Sequence, residues 1–339
     1  MKAHRLGRPD VYAAALIAAA VALAPNPARA QGGIDPRCPA GTLQQRAAQD
    51  ACQKAADIFG FMAPQLGIGL VGGNATLGTG GALGGIGRFS IGVRGNGLQG
   101  RVPQVGDVNA AVTGAVKSDY GVDDQIMGLP AVEGALGLFG GVPLGVTHAL
   151  ALDGLVSATY VPELSNSDVA VSLPDGSVKF GFGARLGVLQ ESFATPSVSV
   201  TYLRRDLPTT SIVASSGDDR IAVENIAVKT TALRAVVGKS VGFLGLAAGG
   251  GRDEYESGAN GSVTVHEAGL TVDGGPYALS QKVSRTNLFA DASLNFPFVK
   301  FALEIGRVSG GKLDTYNTFS GKRADDALTY ASVGIRIGN

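Results

Sequence analysis

Val178-Lys-Phe-Gly-Phe-Gly-Ala-Arg-Leu-Gly-Val188 alternates without a break. Val178, Phe180, Phe182, Ala184, Leu186 and Val188 fall on one side, and Lys179, Gly181, Gly183, Arg185 and Gly187 on the other. Successive side chains of a strand point to opposite faces, so the stretch reads as a strand with one apolar and one polar face. The same period recurs along the chain. Phe89, Ile91 and Val93 oppose Ser90, Gly92 and Arg94, and Ala331, Val333, Ile335 and Ile337 oppose Ser332, Gly334, Arg336 and Gly338. In 288–298 the polar face holds Asp291, Ser293 and Asn295, and in 299–305 it holds Lys300, Ala302 and Glu304. Residues 144–160 follow the rule less strictly, and 226–237 blur it.

Alternation also describes a soluble sandwich with its apolar face in the core. Three features favour a membrane barrel. Connections alternate in length: short ones near 140–142, 191–196, 239–241 and 296–298, long polar ones over 102–128, 162–176, 206–220, 253–281 and 309–326. Outer-membrane barrels pair short periplasmic turns with longer outside loops in this way. Aromatics sort by end, with Phe139, Phe243, Phe296 and Phe298 beside the short turns and Tyr160, Tyr202, Tyr255 and Tyr330 at the loop ends, as in two interfacial girdles. The polar face is small or charged, and 51 of 339 residues are Gly, which suits side chains that must share a narrow interior. Only 17% of residues are charged, against about 25% for soluble domains.

The turns divide the chain into strands near 87–101, 130–139, 144–161, 177–190, 197–206, 223–238, 241–253, 282–296, 299–308 and 327–338. The expected fold is therefore all-β: an antiparallel transmembrane β-barrel over 86–339 with about ten strands. A further hairpin in 105–122, or around Ser262-Val-Thr-Val-His266, would raise the number to twelve or fourteen.

The N-terminus reads as an export signal over residues 1–30. Lys2, Arg5 and Arg8 precede an apolar run from Val11 to Ala24, and Ala28-Arg29-Ala30 fits the small-x-small cleavage rule. Without this segment, 24 of the 28 basic and 27 of the 28 acidic residues remain, so no bulk charge draws the chain to nucleic acid. Residues 31–85 read as a helical, Gly-rich periplasmic head or plug. Thr42 to Phe59 has helical composition with Thr42 as N-cap and Gly60 as stop. Cys38 and Cys52, the only cysteines, are expected to form a disulfide in an oxidising compartment. Residues 66–87 hold ten Gly. Within them Gly67-Ile-Gly69-Leu-Val-Gly72 matches G-x-G-x-x-G formally, but without the strand before and helix after that a dinucleotide site needs.

Together the signal and the alternating segments resemble the outer-membrane β-barrel proteins of Gram-negative bacteria. The resemblance implies outer-membrane location, lipid around the barrel, and handling by the outer-membrane assembly machinery. The last strand departs from the usual terminal Phe or Trp, ending Ile335-Arg-Ile-Gly-Asn339. A helical, Gly-rich head before a barrel also looks like the hatch of the long-chain fatty-acid and hydrocarbon transporter family. That family's Asn-Pro-Ala signature is not found, Asn74-Ala75 being the nearest match.

With the apolar face toward lipid, Arg94, Glu133, Asp153, Lys179, Arg185, Asp291, Lys300, Glu304 and Arg336 become the candidate lumen-lining residues. Five are basic and four acidic, as expected if ion pairs cross the lumen. Asp123-Asp124, Asp218-Asp219, Asp325-Asp326 and the Asp253-Glu254 pair fall in expected outside loops, without the spacing of a cation-binding loop. His148 and His266 have no partner at triad or metal-ligand spacing, and no G-x-S-x-G occurs. No cofactor, metal site or enzymatic activity is expected. The function expected is a channel or transporter for small solutes, apolar ones included. The alternatives are a non-conducting structural or surface-interaction protein and a secreted soluble β protein.

Overall fold

The computed structural model describes residues 32–104, 111, 113–161, 164–165, 169–216, 219–267 and 270–338; the expected signal segment lies outside them. Ten antiparallel strands close on themselves: β1 (Phe89–Pro103), β2 (Val122–Phe139), β3 (Ala151–Tyr160), β4 (Val178–Leu189), β5 (Ser197–Asp206), β6 (Asp219–Val241), β7 (Leu244–Glu267), β8 (Leu270–Asn295), β9 (Val299–Ser309) and β10 (Leu328–Gly338). Each pairs with its sequence neighbour, and closure comes from β10 on β1, with Ile91 opposite Ile337 and Val93 opposite Ile335. Such a ring has no second layer, which removes the sandwich. The fold is an outer-membrane-type barrel, as the alternation predicts, with one helix ahead of it among the described residues.

The apolar face is turned outward. Leu294, Phe301 and Ile335 are 42%, 45% and 49% exposed, as lipid-facing positions must be and core positions are not. Phe139, Phe243, Phe296 and Phe298 are exposed beside the short turns, and Tyr160 and Tyr202 near the loop ends. The expected loop-end girdle is corrected at Tyr255 and Tyr330, which are buried inside. Both stand on the inward parity of their strands, so distance from a turn misplaces them.

Extra strands lengthen the wall without adding to the ring. A strand crosses a bilayer with about 9–11 residues, whereas β7 and β8 have 24 and 26. The expected loop 253–281 is mostly this projecting hairpin, which contains Ser262–His266 and leaves the number of strands at ten. Beside it, Thr210–Ser216 pairs with β6, Val169–Ser172 with that strand, and Leu164–Ser165 with the last. Residues 113–121 form no barrel strand; the first part of that expected hairpin lies outside the described residues. At the other end the expected strand 144–161 is broken. Val142–Leu144 and Thr147–Ala149 make a separate hairpin, and Leu150 has φ 63° before β3 starts.

The helix α1 (Leu43–Val71) stands inside the barrel wall. Thr42 caps it: the Gln45 N–H donates to Thr42 Oγ1, and the Thr42 N–H donates to Gln45 Oε1. Cys38 and Cys52 are disulfide-bonded. The expected stop at Gly60 is corrected, since the helix continues through Pro64 to Gly72. Pro64 has no N–H for the Gly60 carbonyl, and Gln281 Nε2 of β8 supplies a donor at 3.2 Å. The nominal G-x-G-x-x-G is the end of this helix. Gly67 is where the Tyr255 ring lies against the backbone, and any Cβ would enter that ring.

Candidate functional site

The barrel interior has two storeys. Toward the long-loop end, Phe59, Phe61, Ile68 and Leu70 of α1 pack with Leu98, Leu203, Val228, Val283 and Val308 of the wall. Loops close over them: Phe319, from the β9–β10 connection, stacks on Phe61 at 4.2 Å and against Tyr120 at 5.5 Å. Asp57 accepts hydrogen bonds from the Asn317 N–H and Nδ2 at 2.9 and 2.7 Å. In the same loops the Thr318 hydroxyl and the Ser320 N–H hold the Asp119 carboxyl below its ordinary pKa. Part of the blurred 226–237 stretch follows from this interior: Val228, Ala232 and Val236 face inward beside buried Thr230 and Arg234, so the inner face mixes apolar and polar residues.

Toward the short-turn end the interior is charged, and its partner is main chain. After Gly72 the polypeptide runs as a Gly-rich strap, residues 72–87, and meets β1 at the short-turn end, where the Arg88 N–H donates to the Gly85 carbonyl and the Gly137 N–H to that of Arg88. Glu304 of β9 accepts the Gly73 and Asn74 N–H groups at 2.9 and 2.5 Å. Asp291 of β8 accepts Asn74 Nδ2 at 2.5 Å and the Gly78 N–H at 3.3 Å. Lys300 Nζ donates to the Gly78 carbonyl at 3.0 Å, and Ser199 Oγ to that of Gly80 at 2.7 Å. Asp153 of β3 receives the Leu83 N–H at 3.0 Å. Arg94 Nη1 donates to the Asn74 carbonyl at 2.5 Å, and Arg185 to Thr76 Oγ1.

These charges also pair with one another. Arg94 bridges Glu304 and Glu133, and Glu133 takes Arg205 at 2.7 Å and Arg336 at 3.4 Å. Arg185 holds Asp153 at 2.7 Å. Lone ions out of water are costly, and opposite charges with their remaining valences bonded are tolerated. The last carbonyls of α1 are met the same way. Arg205 Nη1 donates to those of Leu70 and Val71 at 3.3 and 3.2 Å, a cation at the negative end of the helix.

Of the nine candidates, Arg94, Glu133, Asp153, Arg185, Asp291, Glu304 and Arg336 are buried, and Lys300 is half-buried against the strap. Lys179, at the loop-end start of β4, is half-buried away from it. Sequence reasoning missed Arg205, Arg234, Asp253 and Asn287. Parity through Ser197, Ser199 and Thr201 places Arg205 inward, and that signal was available. Asp253 is corrected from outside loop to interior. It is fully buried, with Arg234 Nη2 at 2.6 Å, Asn287 Nδ2 at 2.9 Å and the Tyr255 hydroxyl at 3.2 Å.

Of the two places expected for residues 31–85, a periplasmic head or a plug, the described residues 32–85 take that of the plug. The head fills the barrel, attached to β1 at the short-turn end, and the N-terminus of α1 lies at the long-loop mouth. There Asp50 accepts the Ala111 and Val116 N–H groups, both at 2.7 Å. Asp123 and Asp124 are exposed on β2, Asp326 pairs with Arg101 at 2.8 Å, and Asp218 and the Asp219 side chain lie outside the described residues. Among the described residues no three His, Cys, Asp or Glu side chains gather as a metal site.

No protein-family model matches the chain, and no curated protein matches it. Two solved structures show a distant likeness to the chain. The translocator domain of the autotransporter NalP from Neisseria meningitidis is 12% identical over 85% of this chain and 96% of that one, with a TM-score of 0.39. The outer membrane channel DcaP of Acinetobacter baumannii is 9% identical over 74% and 96%, with a TM-score of 0.20.

Proposed function

We propose that the protein resides in the outer membrane as a barrel sealed at rest by its own N-terminal segment, and that it works through the wall and loops it presents outside. The observation that carries this reading is the occupancy of the lumen. Alpha-helix α1 fills one storey with an apolar core, and the strap fills the other with main chain bound to buried charges from β1, β3, β8 and β9 and to the Ser199 hydroxyl of β5. A ten-stranded interior is barely wider than the eight-stranded one that side chains alone fill. Long β6–β8 strands and the loops beyond the bilayer are then the functional surface, as is common where loops ride on a rigid scaffold. The test is conductance of the purified full-length chain in planar bilayers. A sealed barrel gives a flat baseline at low voltage, and steady ohmic steps sink the reading.

A second reading, a gated channel for small solutes, is favoured by one specific feature. The strap is held by polar contacts and carries few side chains, so its departure leaves a charged, hydratable lumen. Brief openings at raised voltage that vanish when the strap is cross-linked to the wall support this reading over the first.

A further inference from the structure

The polypeptide crosses the barrel from end to end before the first strand begins. Its route runs from Arg88, beside the Gly137 N–H at the short-turn end, up the strap to Gly72. It then follows the 29 residues of α1, roughly 43 Å at helical rise, to Thr42. Ahead of Thr42 the chain has left the interior. Gly32, Gly33, Pro36 and Arg37 are exposed. Arg37 Nη1 reaches over the wall to the carbonyls of Ala278 and Ser280 at 3.4 and 3.3 Å and to Ser280 Oγ at 3.2 Å. Those two residues lie on the projecting half of β8, some 15 residues from its short-turn end at Asn295, beyond the roughly 9–11 that cross a bilayer.

From this route we infer that residues 32–42 form a disulfide-tied knob on the outer face of the membrane, which the chain reaches through the barrel interior. The knob is built to stay there. The Cys38–Cys52 bond ties it to the third turn of α1, the Asp35 N–H donates to Gln53 Oε1 at 2.5 Å, and the Asp35 carboxylate accepts from Arg37 Nε at 2.8 Å. Below it, Asp50 and Asp57 fasten α1 to the loops that follow β1 and β9. Only the connection at the strap's lower end belongs to the other side of the membrane.

The inference rests on the outer-membrane reading, and the test separates the two. An epitope tag is inserted between Gly33 and Ile34 of the full-length chain, and, in a second version, Gly33→Cys is labelled with a membrane-impermeant maleimide. Gly33 is a suitable site because a Cβ there meets nothing within 4 Å. Phe193→Cys, 89% exposed in the β4–β5 turn, marks the opposite side. Heat-modifiable gel mobility and membrane fractionation report whether each variant is a folded outer-membrane barrel. The expected result is labelling at position 33 to the same extent in intact and permeabilised cells, with position 193 labelled only after permeabilisation. Folded, outer-membrane protein labelled at position 33 only after permeabilisation overturns the inference alone. Protein that fractionates as soluble overturns the membrane reading, and the inference with it. The tag and the cysteine perturb the knob differently, so a variant that fails to fold leaves the other to decide.

Discussion

At the scale of single residues, the strap is defined by what its glycines exclude. A Cβ on Gly80 would stand 2.5 Å from Gly238 Cα and 2.6 Å from its N, both main chain of β6, and a strand paired on both sides cannot retreat. Gly80→Val is expected to lower the midpoint of heat-modifiable mobility well below that of the parent, while Gly33→Ala leaves it unchanged; equal midpoints for the two would refute a tightly seated strap. Glu304 answers for charge as Gly80 does for space. It accepts two strap N–H groups and neutralises Arg94. Breaking a buried pair from one side costs about 3–5 kcal/mol, so Glu304→Ala should destabilise the barrel by that order, read from urea unfolding in detergent. Pairing it with Arg94→Met should recover part of the loss, and strict additivity of the two would mean they are not coupled. Which face Glu304 occupies was legible from the period of two. What it binds was not, because alternation reports the side of the wall and is silent about a partner more than two hundred residues earlier in the chain.

Elements show the same division between local and distant causes. The strand positions followed from alternation and turn spacing because one face had to meet lipid along every strand. The end of α1 did not follow. Gly60 and Pro64 are both helix-ending signals, yet the helix continues because Gln281 supplies the donor that Pro64 withholds. Gln281→Leu keeps the bulk and removes that donor. The unsatisfied Gly60 carbonyl should then cost about 1–3 kcal/mol, seen as a lower unfolding midpoint with the strand signal in circular dichroism intact. A change no larger than an exposed substitution would assign the helix's persistence to packing alone. The Cys38–Cys52 staple acts on the same helix from its other end. Its sequence separation is 14, so reduction should remove roughly 3 kcal/mol if the unfolded-chain account holds. Since the covalent tie joins the knob to the helix, and the wall holds it only through the Arg37 hydrogen bonds to Ala278 and Ser280, reduction should raise proteolysis near Arg37 while leaving heat-modifiable mobility in place.

Over the whole molecule, the barrel and its plug share one set of charges, and the sum of that set is not zero. Inward from the strands come Arg94, Arg185, Arg205, Arg234, Arg285, Lys300 and Arg336, against Glu133, Asp153, Asp253, Asp291 and Glu304, seven cations to five carboxylates. In the sealed state strap and helix carbonyls absorb the excess, as Lys300 does on Gly78 and Arg205 on Leu70 and Val71. Arg285 similarly spends Nη2 on the carbonyls of Asp325 and Asp326. Once the strap leaves, the Gly78 carbonyl leaves with it, and Lys300 with the rest of the positive surplus faces water. Charge lining a narrow passage with low-dielectric walls sets which ions concentrate there. The double variant Gly80→Val with Glu304→Ala, which both crowds the strap and releases it, should therefore open where the parent stays closed. It removes one carboxylate as well, so its reversal potential under a salt gradient should favour anions. Adding Arg185→Gln and Lys300→Gln should pull that potential back toward zero. A cation-preferring pore would mean that the solvated lumen does not keep the side-chain arrangement of the sealed one, and the gated reading would then lose its structural basis.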